Sequence, residues 1–192
     1  QLIQIFENEW TFKQDIVKSI IKSKLGVLSE RVYARNCTVS VTDSHTKKLF
    51  LTNNHIQGND NSQIAIALKH NGEVVAMMTF GSRKITNKKS FEMIRFCSKQ
   101  NTSVIGGASK LFKYFVHNYS PNKIKTYCDQ RYSFSDSFYT KLGFKHIKTS
   151  APAYWYTDTT NIWHRFNYPK HKLVKMGADA ALTEKEIMFQ CG

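Results

Sequence analysis

The sequence predicts an α/β (α+β) fold, and three stretches carry the prediction. Ile64-Ala65-Ile66-Ala67-Leu68 and Val74-Val75-Ala76-Met77-Met78-Thr79-Phe80 flank Asn71-Gly72, a pair suited to the φ > 0 that a two-residue hairpin turn demands, so both arms read as strands. Phe91 to Cys97 alternates apolar and polar residues, the mark of another strand. After a polar turn ending Ile105-Gly106-Gly107-Ala108, the residues Leu111, Phe112, Phe115, Val116 and Tyr119 recur at helical spacing. The centre of the chain is therefore a strand, a glycine turn and a helix.

From the amino end, Gln1 to Trp10 reads as a short apolar strand with Glu7 and Glu9 as exposed carboxylates at its end. Phe12 to Leu25 places Ile16, Val17, Ile20, Ile21 and Leu25 on one face and Lys13, Lys18, Lys22 and Lys24 on the other, which predicts an amphipathic helix stopped by Gly26. Val27 to Asn36 reads as a connector in which Arg31 and Arg35 stand beside Tyr33, a mixture that suits nucleic acid without requiring it. Thr38 to Val41 is a strand, and Lys48 to Gly58 a short helix running into a turn. Gly81 to Ser90 is a polar loop bearing Arg83, Lys84, Lys88 and Lys89, the expected phosphate-contacting loop. Ile124 to Cys128 is a strand after Pro121, and Tyr154 to Tyr156 and Ile162 to Phe166 are further strands rich in rings and cations. Lys170 to Lys175 is a basic stretch in which Lys170 and Lys172 are candidate nucleic-acid contacts. Thr183-Glu184-Lys185-Glu186 has capping-box spacing. This divides the chain into a strand and helix over 1–36, a main domain over 37–168, and a basic extension with a short helix over 169–192.

With 192 residues, 41% of them hydrophobic, the chain is long enough for one substantial core. Lys and Arg number 28 against 14 Asp and Glu, a net charge of +14. That excess favours a polyanionic partner, DNA or tRNA, although a basic surface also serves solubility. No run of roughly 18 apolar residues exists to span a bilayer, so the expected place is the cytoplasm, with no membrane partner. Cys37, Cys97, Cys128 and Cys191 lie far apart without zinc-ligand spacing, which predicts reduced, partly buried thiols and no metal.

Two adjacent glycines before a helix leave its first N–H groups open to an anion, though glycines in that place also serve an ordinary tight turn. His55, set among Asn53, Asn54 and Gln57, is either a site residue or a turn cap. Asp129 follows directly on a predicted buried strand, where open sheets collect their chemistry, and its neighbour Arg131 can hold it ionised or merely pair with it.

The run Phe138-Tyr139-Thr140-Lys141-Leu142-Gly143-Phe144 resembles the closing element of the GCN5-related N-acetyltransferase (GNAT) fold. The hairpin from Ile64, the Phe91 strand and the Gly106-Gly107 turn are similar, in order, to that family's second to fourth strands and pyrophosphate loop, over roughly Val39 to Ile147. The resemblance implies a central mixed, mostly antiparallel twisted sheet flanked by helices. Asn54-His55, Glu92 to Arg95, Asn101 through Ser109, and Tyr127-Cys128-Asp129 with Tyr139 and Gly143-Phe144 resemble most the Mom-type phage DNA-modification branch. They also resemble the GNAT-like domain that follows the nuclease in some phage homing-endonuclease proteins. Gln1 to Trp10 is similar to the last core strand of very-short-patch-repair-type nucleases, which implies an upstream nuclease.

The resemblance implies acyl-type transfer to an amine such as an exocyclic base nitrogen, in a bacterial or phage-infected cell. Acyl-CoA or a related nucleotide donor would lie at Ile105, Gly106, Gly107, Ala108 and Ser109. Asp129, His55, Arg95 and Tyr139 would be the catalytic group, and Arg83, Lys84, Lys88, Lys89, Arg131, Lys170 and Lys172 the nucleic-acid contacts. Val104 stands where the family loop has its first glycine. The alternatives are a non-catalytic DNA-binding domain of a homing endonuclease and a small-molecule N-acyltransferase.

Overall fold

The computed structural model describes residues 2–83, 89–132, 138–158 and 160–190. Packing divides the chain into two units, residues 1–5 with 13–145 and residues 6–12 with 146–192.

The first unit is built on a five-stranded sheet. Its strands are β2 (Thr38–Val41), β3 (Ile64–His70), β4 (Glu73–Arg83), β5 (Ser90–Ser98) and β7 (Lys123–Thr126), side by side in that order. The first three pairings are antiparallel and the last, β5 with β7, is parallel. A helix, α4 (Gly107–Tyr119), makes the crossover that a parallel pair requires. The β3–β4 hairpin turns on Asn71 and Gly72 with φ of 50° and 83°, as the Asn-Gly pair predicts.

Both faces of the sheet are covered, which explains strands that are apolar almost without interruption. Ile66, Leu68, Met78, Phe80, Phe91 and Met93 pack in one core with Leu111 and Phe115 of α4, where the Phe80 and Phe115 rings stack with centroids 3.5 Å apart. Ala65, Ala67 and Met77 face the other way, onto Phe50 and Leu51 of α3 (Ser44–Asn54). The α3 helix starts four residues before its expected beginning, because the Asp43 carboxylate accepts the Thr46 N–H at 2.8 Å. The amphipathic helix α2 (Gln14–Leu25) ends at Gly26 with φ of 73°, and its Ile16 and Val17 pack against Ile56.

Two expectations for this unit need correction. The connector before residue 37 contains a strand, β1 (Glu30–Tyr33), and the polar turn after Cys97 contains another, β6 (Thr102–Ile105). They pair in parallel as a separate two-stranded ribbon. Each is too short and too polar to declare itself alone; the partner lies about 70 residues away along the chain.

In the second unit, residues 7–12 form a helix, α1 (Glu7–Phe12), where a strand was expected. The Glu9 carboxylate accepts the Phe6 N–H at 3.0 Å, as a third-position glutamate does at a helix start, and Glu9 is buried, contrary to the expectation of an exposed carboxylate. The ring-rich strands are β8 (Trp155–Thr157) and β9 (Ile162–His164), an antiparallel pair. The helices α6 (Lys170–Lys175) and α7 (Glu184–Gln190) complete the unit. Thr183 and Glu186 exchange the two hydrogen bonds of a capping box, at 2.7 and 3.3 Å.

Candidate active site

The parallel pairing of β5 with β7 holds from Ser90–Lys123 to Met93–Thr126 and stops there. β5 runs on to Ser98 while the other strand turns away through Tyr127, Cys128 and Asp129. Their divergence opens a cleft of about 820 Å³. Its walls include Ile94 to Ser98 on one side and Tyr127 and Asp129 on the other. The His55 turn, α2, the Gly106–Ser109 corner and α5 (Phe138–Lys141) complete it. His55, Arg95, Asp129, Tyr139 and Gly106 to Ser109 all line this one space.

Each is aimed by local structure. α3 ends at His55, whose N–H reaches Leu51 O at 2.9 Å and whose Nδ1 accepts the Gln57 N–H at 3.1 Å. Asn54 anchors the helix end by donating to Phe50 O at 2.8 Å and accepting the Gln100 N–H at 2.8 Å, so the amides flanking the histidine hold the turn. Burial, with Arg95 adding, pushes the imidazole down to about 3. His55 is thus neutral, with Nδ1 engaged as acceptor and the proton assigned to Nε2.

Arg95 follows a β-bulge: Thr79 pairs with Arg95 and Phe80 with Met93, leaving Ile94 as the extra residue. Arg95 Nη1 donates to Ile94 O at 3.2 Å, while Nε, shut off from solvent, has no hydrogen-bond partner among the described residues. The Asp129 carboxylate accepts the Arg131 N–H at 2.9 Å and Arg131 Nε at 3.0 Å. Arg131 also lies over the Tyr132 ring, 4.9 Å from its centroid. Burial, seconded by Cys128 and opposed by Arg95, holds the Tyr139 phenol above its ordinary value, so it keeps its proton.

The glycine corner has a distinct reason for each residue. Gly106 precedes α4 at φ of 77°, and no side chain caps the helix start. A Cβ on Gly107 would fall 2.9 Å from Val104 Cγ1 and 3.4 Å from Leu68 Cδ1, so a side chain there would press on Val104 of the ribbon. Val104, at the place of the family loop's first glycine, packs against the core at this point.

Around the cleft stand Lys24, Arg95, Lys99 and Lys141. Among the described residues the lining holds a single carboxylate, Asp129, which Arg131 pairs at 2.9 Å, and Lys99 is itself paired with Glu73 at 2.8 Å, so Lys24, Arg95 and Lys141 supply the lining's positive charge.

No family model matches the sequence, and no curated protein matches it. Several solved structures are similar to the chain. A transcriptional regulator from Bacillus halodurans C-125 is 13% identical, covering 62% of this chain and 99% of its own, with a TM-score of 0.50. A GNAT-family acetyltransferase from Streptococcus pneumoniae TIGR4 is 14% identical over 57% of this chain and 87% of its own (TM-score 0.45). The ribosomal-protein-alanine N-acetyltransferase from Brucella melitensis biovar Abortus 2308 is 12% identical over 62% and 98% (TM-score 0.45). At this level of identity the likeness speaks to the fold alone, a mixed and mostly antiparallel sheet flanked by helices.

Beneath the cleft runs a polar network that sequence reasoning missed. Thr79 Oγ1 accepts the Arg95 N–H at 3.1 Å across the bulge and donates to Asp60 Oδ2 at 2.6 Å. Lys47, itself buried, reaches Asp60 Oδ1 at 3.4 Å and the Asp60 and Ser62 carbonyls at 2.8 and 2.9 Å. One signal was available: Thr79 is the only hydroxyl in the otherwise apolar run Val74 to Phe80.

Other expected residues stand elsewhere. Lys89 is exposed before β5, Arg83 closes β4, and Lys84 and Lys88 lie outside the described residues. Lys170 and Lys172 are exposed on α6 in the second unit. Ile105 is exposed beside the corner and does not line the cleft. Cys37 is buried, but Cys128 is exposed, which corrects the expectation of a partly buried thiol; Cys191 lies outside the described residues. Burial, offset in part by Arg95, pushes the Cys97 thiol up to about 12, so it stays protonated and inert. Among the described residues no helix is long and apolar enough to cross a membrane, and no three His, Cys, Asp or Glu side chains gather as a metal-ligand set.

Proposed function

We propose that the chain transfers an acyl group from acyl-CoA, or a related nucleotide-bearing donor, to an amine of nucleic acid. The observation that carries the reading is the cleft at the β5–β7 divergence, where the open glycine corner meets His55, Arg95, Asp129 and Tyr139. The residues fit such a donor. The corner's N–H groups have no side-chain cap, the cleft has the size of a ligand site, and Arg95 Nε is buried with no partner among the described residues.

The donor would supply an activated acyl carbonyl for the amine nitrogen and a thiol as leaving group. Gly106, Gly107, Ala108 and Ser109 hold phosphate with backbone N–H groups at the start of α4. Asp129, with both oxygens engaged by Arg131 but lone pairs remaining, accepts an amine N–H and takes its proton. Tyr139 keeps its proton at neutral pH and delivers it to the departing sulfur. His55, neutral with Nδ1 occupied, serves as a hydrogen-bond donor through Nε2, and Arg95 supplies positive charge where the carbonyl oxygen gains negative charge.

Nucleic acid is preferred over a small amine because the first unit holds 22 Lys and Arg against 8 Asp and Glu. A duplex base would have to be flipped into the cleft at a cost on the order of a few kcal/mol. The sequence likeness to the Mom-type branch favours a setting among phage DNA modifications in the bacterial cytoplasm, beside homing endonucleases.

The test is mass spectrometry of DNA and tRNA incubated with the protein and acetyl-CoA. An acyl mass on a base, lost with Asp129→Ala and reduced at least about tenfold with Tyr139→Phe, is expected. Unmodified nucleic acid together with acylation of a small amine such as spermidine would move the reading to a small-molecule acyltransferase. DNA binding with no acylation of any amine would leave a binding domain.

A further inference from the structure

Beside the glycine corner lies a second concavity of about 430 Å³ that shares only Gly106 and Ser109 with the cleft. Its other surfaces come from the β1–β6 ribbon, the single 3-10 turn that follows β1, and the first turns of α4.

Its chemistry is distinctive. Tyr33 and Ile105 are register partners in the parallel ribbon and are each 42% exposed, so they form one apolar step beside the groove. Arg35, exposed, lies with its guanidinium 5.1 Å from the Tyr33 ring centroid. Lys113, also exposed, stands four residues after Ser109 and hence on the same face of α4. Among the described residues no carboxylate lines the groove. Lys110 is committed to the wall itself. Its Nζ donates to Ala34 O at 2.8 Å and to Cys37 O at 2.6 Å, clamping the 3-10 turn to α4. The width of the groove is thereby fixed before anything enters it.

A groove with an exposed ring that Arg35 covers on one face and leaves open on the other, two exposed cations and no lining carboxylate among the described residues matches one kind of ligand well. We propose that it seats a single strand of nucleic acid, with phosphates against Arg35 and Lys113 and one base stacked on Tyr33. A ring face is sequence-tolerant, and cations on either side follow a backbone, which is how single strands are held without base readout. The first unit carries the whole net positive charge of the chain, which steers such a strand to it. The inference rests on the reading that the amine substrate is part of a nucleic acid, and it places the strand next to the corner at which the donor is held. A nucleotide donor offers the same phosphate and ring chemistry, so the experiment must separate the two.

The measurement is fluorescence anisotropy of a labelled 12-nucleotide single-stranded DNA at several salt concentrations, for the wild type, Arg35→Ala/Lys113→Ala, Tyr33→Ala and Tyr33→Phe. Melting of each variant, with and without acetyl-CoA, is recorded alongside. The double variant is expected to bind about tenfold or more weakly, with the log–log salt slope shallower by about 1.4, because two phosphates are no longer neutralised. Tyr33→Ala is expected to weaken binding at least about fivefold while Tyr33→Phe keeps it, since stacking needs the ring and not the hydroxyl. All three variants are to keep the wild-type melting temperature and the wild-type response to acetyl-CoA. Unchanged DNA affinity in the variants would overturn the groove assignment and leave the nucleic-acid reading standing. Loss of the acetyl-CoA response with DNA affinity intact would give the groove to the donor instead. A wild type that binds no single-stranded DNA at about 50 mM salt would overturn both.

Discussion

His55 is the residue at which sequence and environment diverge most. An imidazole ordinarily titrates near 6.5, but burial first and Arg95 second press this one down to about 3. Below about pH 6.5 the unfolded chain binds a proton at His55 that the folded protein refuses until about pH 3, so stability falls as pH drops across that window. Urea melts at pH 7 and pH 4.5 are expected to show a stability loss that His55→Gln reduces; an equal loss in the variant would mean the histidine ionises freely in the fold. Gly107 makes a second residue-scale case. Its φ is ordinary, so only the 2.9 Å approach to Val104 opposes a methyl group. Gly107→Ala should cost about 1–3 kcal/mol by overpacking, read in the denaturant midpoint; a loss below about 0.5 kcal/mol would show that Val104 yields.

Among the elements, the bulge in β4–β5 turns a plain strand into a site, because the extra residue Ile94 re-aims Arg95 toward the cleft. The bulge removes a ladder partner from the Arg95 N–H, and the Thr79 hydroxyl replaces it. Burial alone would raise the Asp60 carboxyl; the Ser62 and Thr79 hydroxyls, the Ser62 N–H and Lys47 outweigh it and hold it below its ordinary value. Thr79→Val keeps the volume but strands the Arg95 N–H and takes one donor from Asp60. It should cost about 1–3 kcal/mol and speed hydrogen exchange at the Arg95 amide. Unchanged exchange there would contradict the role given to the hydroxyl.

The same elements show what was legible. The β3–β4 hairpin could be read because Asn71-Gly72 tolerates a conformation few other pairs do. The strand, glycine turn and α4 could be read because the period changes from two to helical spacing across them. His55 closes α3 and Asp129 follows β7, positions at element ends that could be singled out as candidates from the residues, whereas Arg95, inside β5, and Tyr139, inside α5, were named through the family resemblance. β1 and β6 could not, since each is stabilised by the other at long range. Nor could α1, whose apolar residues alternate as in a strand while Glu9 and Phe6 settle the helix. The Lys47–Asp60–Thr79 network joins three distant segments and is a property of the folded sheet.

At the scale of the molecule, charge separates the two units. The second holds 6 Lys and Arg against 6 Asp and Glu and is neutral, whereas the first carries the net +14. The second unit's rings are partly committed to its own packing. Tyr154 and Tyr156 both donate to Glu184 Oε1, at 3.2 and 2.9 Å, and Arg165 and Lys185 lie 4.8 and 4.7 Å from the Tyr154 ring centroid. On the proposed nucleic-acid reading, polyanion binding is expected of the first unit, with little contribution from Lys170 and Lys172. Lys170→Ala/Lys172→Ala should change DNA affinity less than about threefold by anisotropy, and a loss of about tenfold would bring the second unit into the interface.

The central claim is that the glycine corner and the cleft beside it receive a nucleotide-bearing acyl donor. Its most direct test is the melting temperature of the protein with coenzyme A and acetyl-CoA, alongside Ser109→Glu, which sets a negative charge at the corner. Ligand at about a hundred times its dissociation constant stabilises a native state by about 2.7 kcal/mol. The account predicts a rise of several degrees for the wild type and none for Ser109→Glu, whereas a wild type indifferent to millimolar coenzyme A and acetyl-CoA would contradict it.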